Sequence, residues 1–589
     1  MNYAKRIVLP APMFRCFGGW VLDTQFVTNM GTPYLLAHGL GKPVADAWTE
    51  FAVPEDGKYR MYVYTFNWVA PWKPEYAPGV FEVHVDGCKT GPVFGCKAAA
   101  WGWETGDAVS LTKGNHRLQI HDLTGFEGRI GMVVLSREPE PELPASPEAV
   151  RQFLFDSVCC PEEALSEVFD LVVCGGGMAG TCAALSAARN GLKTVLIQDR
   201  PMVGGNNSSE VRVWLGGETH FDPFPGIGNI INEMEQKKVG HHGSENAGEN
   251  YEDEKKMALL INQENLTVYT EHIVTDVQME ATCIRSVTAW DYRGGKRLRI
   301  KGKLFSDCTG DAALGHMAGA DYEVTTNGHM GASNLWYVEK CEETDVFPAC
   351  PWAMDLKNVD FPGKKGVDIY GLQGEFALGA WFWESGHEHD PIEKAEYIRD
   401  TNFRAMYGAW DVLKNHEDGY ENYRLGFSAF LAGKRESRRL LGDVVLTKMD
   451  VQKGRYSEDG CVPSTWSFDV HYPDKRFYPA FREGDAFIAC AYYERFNKPY
   501  FIPYRAMYSR NIGNMFMAGR NVSVSHDALG TVRVMRTGGM MGEVVGYAAK
   551  LCCKYDILPR EVYQDHLEEF MAELKAIPER KNINLVANV

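Results

Sequence analysis

Asp170-Leu-Val-Val-Cys-Gly-Gly-Gly-Met-Ala-Gly180 is the most informative stretch of this chain, because an apolar run leads through a glycine turn into small residues. Residues 171–174 predict a buried strand, and 181–190 predict a helix that ends at Gly191. The glycines suit a nucleotide-binding turn, in which they permit a sharp bend, close approach of backbone to a pyrophosphate, and tight packing of helix on strand. The helix N-terminus would direct its N–H groups to the phosphates. The residues predicted to contact the nucleotide here are Gly175, Gly177, Met178, Ala179 and Gly180.

A second apolar run, Lys193-Thr-Val-Leu-Ile-Gln-Asp199, follows the helix and completes a βαβ unit of about 30 residues. A residue about 20 positions beyond the glycines is expected to bind the ribose hydroxyls. Gln198 stands at that distance and Asp199 is next to it, so an amide or a carboxylate is left open for this role. The complete unit predicts dinucleotide binding.

Three further motifs follow in order along the chain. Residues 200–212 read Arg-Pro-Met-Val-Gly-Gly-Asn-Asn-Ser-Ser-Glu-Val-Arg, 304–311 read Leu-Phe-Ser-Asp-Cys-Thr-Gly-Asp, and 514–521 read Asn-Met-Phe-Met-Ala-Gly-Arg-Asn. Together with the first turn, this set resembles the FAD-dependent oxidoreductases of the glutathione-reductase-like superfamily. In particular it resembles the bacterial FAD-dependent oxidoreductase family, over residues 168–330 and 430–555.

The resemblance implies an α/β fold in which FAD lies across a Rossmann-like sheet. Adenosine would lie at the first turn and Gln198, the pyrophosphate near Gly204 and Asp311, and the flavin near residues 520–539. The implied architecture is a Rossmann-like FAD-binding domain with an inserted α+β substrate domain. Besides the first turn, the implied FAD-binding residues are Gln198, Asp199, Arg200, Gly204, Gly205, Asn206, Ser209, Arg212, Thr309, Gly310, Asp311, Gly519, Arg520, Gly538 and Gly539.

The first 136 residues predict an all-β sandwich domain that precedes the FAD-binding domain. Alternating runs at 59–65, 80–85 and 116–121 are separated by Gly, Pro and Asp turns, as a sandwich requires. Six of the 14 tryptophans lie here. Because aromatic rings stack on sugars, one hypothesis is a carbohydrate-facing module, and the segment resembles the sandwich modules of bacterial polysaccharide-active proteins. The alternative is that the tryptophans fill the core and the contact with the flavin domain.

The chain divides into six predicted segments. The charged, proline-rich stretch after the sandwich predicts a semi-rigid linker, and a helical pattern at 392–407 lies in the predicted substrate region. The predicted boundaries are 1–136 for the sandwich, 137–167 for the linker, 168–330 for the first part of the FAD-binding domain, 331–430 for the substrate or cap region, 431–555 for the last part of the FAD-binding domain, and 556–589 for a C-terminal tail helix.

Composition limits the classes of partner. The 589 residues carry 61 basic and 78 acidic side chains, a formal charge of −17, which disfavours nucleic acid and anionic lipid as partners. No run of about 18 apolar residues and no signal-peptide core is present, so we expect a cytoplasmic protein. The odd number of cysteines without a C-x-x-C pair favours reduced, buried thiols. The expected partners are a small-molecule substrate, an electron acceptor that the sequence does not identify, and a further copy of the chain as an option.

Candidate catalytic residues lie near the end of the chain. His526 is the first choice for proton transfer, and its alternative role is a hydrogen bond to the flavin or the backbone. Arg533 and Arg536 would favour the anionic reduced ring or, alternatively, form salt bridges with nearby carboxylates. The predicted last helix, 537–555, carries Gly538, Gly542 and Gly546 on one face, which permits close approach of another surface.

The sequence predicts an FAD enzyme that transfers hydride to or from a carbon of a hydroxylated small molecule, with a sugar or glycoside as the favoured substrate class. One alternative is a redox-neutral oxidation and elimination on a glycoside. A second is a reductase of an activated C=C bond, because Lys434, Arg435, Arg438 and Arg439 offer an arginine-rich clamp. A non-enzymatic alternative is a glycan-binding protein with an inert flavin domain. No metal is predicted, because the spacing of Glu384, His387, His389 and Asp390 is common in exposed loops.

Overall fold

The computed structural model describes residues 5–158, 160–238, 240, 242–454, 457–477, 486–496 and 498–580. Its N-terminal part is a β-sandwich. Strands β1, β2, β3, β5, β8 and β10 form one sheet, and β4, β6, β7 and β9 form the other, with an apolar core between them. The elements are β1 Arg6–Pro10, β2 Val21–Asp23, α1 Val27–Met30, β3 Tyr34–Ala37, β4 Ala47–Val53, β5 Gly57–Thr65, β6 Phe81–Val85, β7 Cys88–Lys89, β8 Gly102–Leu111, β9 Gly114–Asp122 and β10 Gly128–Ser136.

The segment predicted as a linker is partly structured. Helix α2, Pro147–Ser157, begins at Ser146, whose side chain accepts a hydrogen bond from the N–H of Ala149, and Pro147 occupies its first turn. Its apolar residues Phe153 and Leu154 are buried in a cluster shared with the sandwich and with Tyr292. Burial of this helix explains why the segment is ordered although its sequence is rich in proline and charge.

The region predicted to bind FAD is built on one sheet. Strand β11, Glu162–Cys174, begins before the predicted boundary at 168 because it extends along β16. Parallel strands follow the order β13, β12, β11, β16 and β27, as in a doubly wound nucleotide-binding sheet, and β14 and β15 extend β16 as an antiparallel meander. The elements are α3 Met178–Arg189, β12 Thr194–Ile197, α4 Asn229–Glu233, α5 Asp253–Ile261, β13 Leu266–Tyr269, β14 His272–Glu280, β15 Cys283–Asp291, β16 Lys296–Asp307 and α6 Ala313–Met317.

Short hairpins and one long helix form the cap over this sheet. Helix α7, Ala395–His416, starts three residues later than the predicted helical pattern and continues to its buried Trp410 and Leu413. The other elements are β17 Tyr322–Glu323, β18 Ala332–Ser333, β19 Trp336–Lys340, β20 Tyr423–Ser428, β21 Gly433–Lys434, β22 Arg439–Leu440, α8 Lys448–Gln452, β23 Gly460–Ser464, β24 Phe468–Pro473, β25 Ala489–Glu494 and β26 Tyr500–Pro503.

The chain returns to the sheet at β27, Met515–Met517, and then forms α9, His526–Val532, and α10, Met535–Tyr555. The segment predicted as one tail helix holds two helices, α11 Pro559–Asp565 and α12 Leu567–Ala576, and its residues 581–589 lie outside the described part. A large apolar core joins the sheet, α3 and α10. The Rossmann-like fold predicted from the βαβ unit is therefore present.

Buried charges join the sandwich to α7. Arg129 of β10 contacts Asp400 at 2.6 Å and Glu396 at 2.7 Å, and Arg399 contacts Asp23 at 2.9 Å. Both arginine side chains are fully buried. Buried charges are tolerated only when they are paired. These ion pairs therefore attach the sandwich to helix α7 of the same chain.

The six tryptophans of the sandwich are mostly packed inside the protein. Trp20 lies in the core between the two sheets. Trp48 is half-buried beneath the guanidinium of Arg117, 4.0 Å from the ring centroid. The others contact α7 or the segment after β10: Trp68 is buried against Phe403, Trp72 stacks on Tyr397, Trp101 donates to Glu396, and Trp103 donates to the carbonyl of Pro144. The packing role that the sequence offered as the alternative accounts for five of the six rings.

Candidate active site

The glycines of the first turn have three different environments. Gly175 has φ of +100°, and a Cβ there would strike the carbonyl of Cys308. A Cβ on Gly180 would strike the carbonyl of Gly175, so glycine is required for helix α3 to lie against its strand. In contrast, a Cβ on Gly177 would meet only the Cα of Gly205, at 3.9 Å. Gly177 therefore keeps open a space that a ligand can enter at the start of α3.

The structure separates the two candidate ribose-binding residues. The Oε1 of Gln198 accepts a hydrogen bond from the N–H of Gly176 at 2.7 Å, and its Nε2 donates to the carbonyl of Met202 at 3.0 Å. Gln198 is therefore used to hold the glycine turn. Asp199 lines the cleft, and burial raises the pKa of its carboxyl against the opposing effect of Arg200. Both residues line the cleft, but only the carboxyl of Asp199 is not used to hold the glycine turn.

The second glycine pair lies across from the first turn. Gly204 donates its N–H to the carbonyl of Gly176 at 2.8 Å, and both Gly204 and Gly205 have positive φ, +105° and +63°. Beneath this loop, the buried Lys256 donates to the carbonyl of Asn207, and burial lowers the pKa of its ammonium to about 8. No sequence pattern marks Lys256, because a lysine in an amphipathic helix is ordinarily an exposed residue.

The polar residues of this loop differ in position. Arg200 lines the cleft and pairs with Glu210 at 2.8 Å. Arg212 also lines the cleft, with its guanidinium 3.4 Å from the ring centroid of Phe427. Asn206 is part of the same wall, whereas Ser209 lies outside it and donates its N–H to Asp253.

Asp311 lies between two cations. Lys434 contacts it at 2.6 Å and Arg520 at 2.8 Å. Burial opposes ionisation of Asp311, but these cations outweigh that effect and hold its pKa well below the usual range. Gly310 has φ of +75°, and a Cβ there would meet the guanidinium of Arg520 at 2.6 Å. Thr309 lines the cleft beside them.

Helix α10 brings its N-terminus to the cleft. Val534, Met535 and Gly538 line the wall, as does Gly519, which has φ of +102°. A Cβ on Gly538 would lie 3.7 Å from its nearest neighbour. In contrast, a Cβ on Gly542 or Gly546 would strike α3. The predicted glycine face therefore contacts α3. Gly539 does not line the cleft, and a Cβ there would strike the side chain of Ile231.

The three predicted catalytic residues lie in different places. Arg533 lines the cleft. Arg536 lies outside its wall and pairs with Glu235, the alternative that the sequence allowed. His526 also lies outside the wall, and its Nδ1 contacts Glu436 at 2.8 Å.

A histidine that sequence reasoning missed lies in the cleft wall next to Arg533. The Nδ1 of His471 contacts Glu384 at 2.5 Å, and its Nε2 lies 3.1 Å from Asp469 and 3.2 Å from Arg533. Burial opposes ionisation of both carboxyls. Arg533 and His471 nevertheless lower the pKa of Asp469 to about 2. Arg435 and His471 likewise hold the pKa of Glu384 well below its usual range. No local motif marks this cluster, because Glu384 and His471 are 87 positions apart in the chain.

The lining residues enclose one cleft of about 960 Å³, at the upper end of the usual size for ligand sites. The cleft runs past the first turn, the second glycine pair, Asp311 and the N-terminus of α10. In the described part of the chain, the buried Nε of Arg520 has no hydrogen-bond partner. A long dinucleotide with two phosphates fits this set of donors and the open space at Gly177.

The described part of the chain holds neither a cluster of metal ligands nor a membrane-spanning helix. Within the described ranges, no group of three or more His, Cys, Asp or Glu side chains is arranged to hold a metal ion. In the same part of the chain, no helix combines the length and apolar character that crossing a membrane requires.

Comparison with known proteins gives several matches. A family model described as FAD dependent oxidoreductase matches residues 170–574. A glycerol-3-phosphate dehydrogenase of Mycobacterium leprae (strain TN) is 42% identical over 57 residues, 10% of this chain and 10% of that protein. The chain thus matches about a tenth of the length of such curated relatives.

Two solved structures are similar at low identity. A geranylgeranyl bacteriochlorophyll reductase-like protein of Thermoplasma acidophilum is 13% identical with a TM-score of 0.32, over 70% of this chain and 83% of that one. A family 35 carbohydrate binding module from Clostridium thermocellum is 16% identical with a TM-score of 0.19, over 22% of this chain and 96% of that one. TM-scores this low establish neither fold nor function.

The family match extends from the first glycine turn through β27 and α10, so it includes both sides of the cleft. Its span is well over half of the 589 residues. The protein therefore belongs to the FAD-dependent oxidoreductase family and uses FAD as its cofactor.

Proposed function

We propose that the protein transfers hydride between FAD and a carbon of a hydroxylated small molecule of the sugar or glycoside class. The observation that carries this proposal is the pairing of His471 with Glu384 and Asp469 in the cleft wall, beside Arg533. Bound FAD supplies the hydride acceptor or donor. The chain itself has to bind the substrate, orient it and move the hydroxyl proton.

His471 has the environment of a general base. The tautomer that suits this role has Nδ1–H donating a hydrogen bond to Glu384, which leaves Nε2, next to Arg533, as the atom that would take the substrate proton. When Nε2 takes the proton of a substrate hydroxyl, Glu384 and Asp469 stabilise the resulting imidazolium. Bound FAD would accept the hydride from the same carbon, which would thereby become a carbonyl. In the reverse direction, Nε2 returns the proton.

Arg533 and the N-terminus of α10 supply positive charge at the same end of the cleft. Arg533 contacts the carbonyl and carboxyl of Asp469 at 3.0 and 3.1 Å, which fixes its guanidinium in the wall. The N-terminus of α10, which has no side-chain cap, favours negative charge. Together they support a role in stabilising a reduced, anionic flavin.

The aromatic and polar composition of this end favours a polyol. Trp381, Trp466 and Tyr493 line the cleft with Asp469 and His471. Flat rings bind the apolar faces of sugars, and carboxylates accept hydrogen bonds from their hydroxyls. A redox-neutral cycle on a glycoside, in which oxidation acidifies a neighbouring C–H before elimination, uses the same groups.

A reductase of an activated C=C bond is the second candidate. It requires free arginines for a substrate carboxylate, but Lys434 pairs with Asp311, and Arg439 pairs with Glu436. Arg435 pairs with Glu384 at 3.2 Å. These internal pairs reduce the positive charge available to a substrate and favour the first candidate.

The test is an anaerobic screen in which the bound flavin is mixed with sugars, glycosides and carboxylic acids, and in reduced form with enoates. We expect bleaching of the flavin absorbance by a polyol or glycoside. Reoxidation by enoates alone would support the C=C reductase instead, and incorporation of solvent deuterium without net use of an acceptor would identify the redox-neutral cycle.

Two histidine variants then identify the proton-transfer group. His471→Gln should slow flavin reduction about 100-fold or more, the usual contribution of general base catalysis, while FAD binding is retained. His526→Gln is the matched variant, because His526 is the alternative base suggested by the sequence. If His526→Gln carries the larger loss and His471→Gln reacts at the wild-type rate, the assignment of His471 is wrong.

A further inference from the structure

The sandwich forms part of the wall of the FAD cleft. Thr24, Gln25, Val27, Thr28 and Asn29 line the same cleft as the first glycine turn, and so does Arg151 of α2. These residues come from the loop after β2, from α1 and from the helix that packs on α1. A module that served only to bind a separate polymer would not need to line the cofactor site.

Specific hydrogen bonds hold this loop in place. Gln25 accepts the N–H of Ala432 at 2.7 Å and donates to the carbonyl of Phe430 at 3.1 Å. Asn29 donates to the carbonyl of Ile392 at 3.2 Å. The segment that Gln25 holds continues directly into Lys434, the partner of Asp311.

The position of Asp199 locates this wall along the cofactor. Asp199 stands at the end of the second strand of the βαβ unit, where a ribose-binding acid belongs. Its carbonyl accepts a hydrogen bond from Tyr292 at 2.9 Å, and Tyr292 belongs to the same buried cluster as Phe26 and Val27. The wall formed by the sandwich therefore lies next to the adenosine end of the cleft.

We propose that the N-terminal β-sandwich is a cofactor-retention element that closes the adenosine end of the FAD site. The packed tryptophans agree with this role, because five of the six are used in the core or in the contact with the rest of the chain. The proposal depends on FAD binding and is independent of which substrate the enzyme oxidises.

The test uses Thr28, which lines the cleft and is exposed, so its substitution does not disturb a core. Thr28→Glu in the full chain places a negative charge beside a cofactor that carries two phosphates. We expect FAD to bind about tenfold more weakly or worse, with faster release, and we expect added salt to reduce the difference. The readouts are flavin fluorescence during titration of the apoprotein and the rate of flavin release.

Thr112→Glu is the matched control, because Thr112 is also exposed in the sandwich but does not line the cleft. Its FAD affinity should equal that of the wild type. Arg151→Gln is a second variant, and it should also weaken FAD binding. Equal FAD affinity and release rate for Thr28→Glu, Arg151→Gln and Thr112→Glu would overturn the proposal.

Discussion

Gly177 is the residue at which the cleft depends most directly on the absence of a side chain. Its backbone, with φ of −67°, suits alanine, and a Cβ there would project into open space 3.9 Å from the nearest atom. Gly177→Ala should cost the apoprotein less than about 1 kcal/mol as a change at a helix N-cap. A methyl group in the path of the pyrophosphate should weaken FAD binding by about tenfold or more. Titration of the apoprotein with FAD measures this loss.

Gly102 provides a control with the same substitution. It lies outside the cleft, and its nearest neighbour would be 3.6 Å from the new Cβ. Gly102→Ala should bind FAD as tightly as the wild type. Unchanged affinity in Gly177→Ala would mean that the phosphates do not pass this turn.

At the scale of secondary-structure elements, the contact between helices α3 and α10 depends on glycine. A Cβ on Gly542 would strike the carbonyl of Ala179, whereas one on Gly538 has no atom within 3.7 Å. Both Gly→Ala changes improve helix propensity by about 1 kcal/mol, but only Gly542→Ala forces the helices apart, at a cost of about 1–3 kcal/mol.

Thermal unfolding of the two apoproteins measures the difference. Gly538→Ala should melt at or above the wild-type temperature, and Gly542→Ala should melt below Gly538→Ala. A lower melting temperature for Gly538→Ala than for Gly542→Ala would contradict the packing of α3 on α10.

The elements differ in how well the sequence predicted them. The βαβ unit follows from local pattern, since Gly175, Gly177 and Gly180 stand within six residues of one another. The cluster of Glu384, His471 and Arg533 has no such pattern, because tertiary packing alone brings β24 and the end of α9 to one wall. The sequence does not predict helix α2 for a related reason, since the stability of this helix comes from contacts with distant aromatic residues.

At the scale of the whole molecule, buried ion pairs make the sandwich and the cap one unit. Arg129→Met leaves the carboxyls of Asp400 and Glu396 with fewer partners in a buried site. We expect a loss of about 3–5 kcal/mol, because breaking a buried pair exposes the cost of the remaining charge. Calorimetric unfolding measures the change.

Arg137→Met is the matched control in the same module. Its partner Glu55 is 2.6 Å away, but the pair is exposed to solvent, so its loss should leave the unfolding temperature close to that of the wild type. Equal stability of the two variants would show that the contact between the sandwich and α7 contributes little.

A crystal structure of the protein with FAD tests the central claim most directly. We predict that the two phosphates lie at the start of α3 between Gly177 and Gly205, that the adenosine ribose lies at Asp199 beneath the sandwich, and that the flavin ring lies near Arg533 and His471. A flavin ring beneath Thr24–Asn29, or phosphates away from Gly177, would contradict this account.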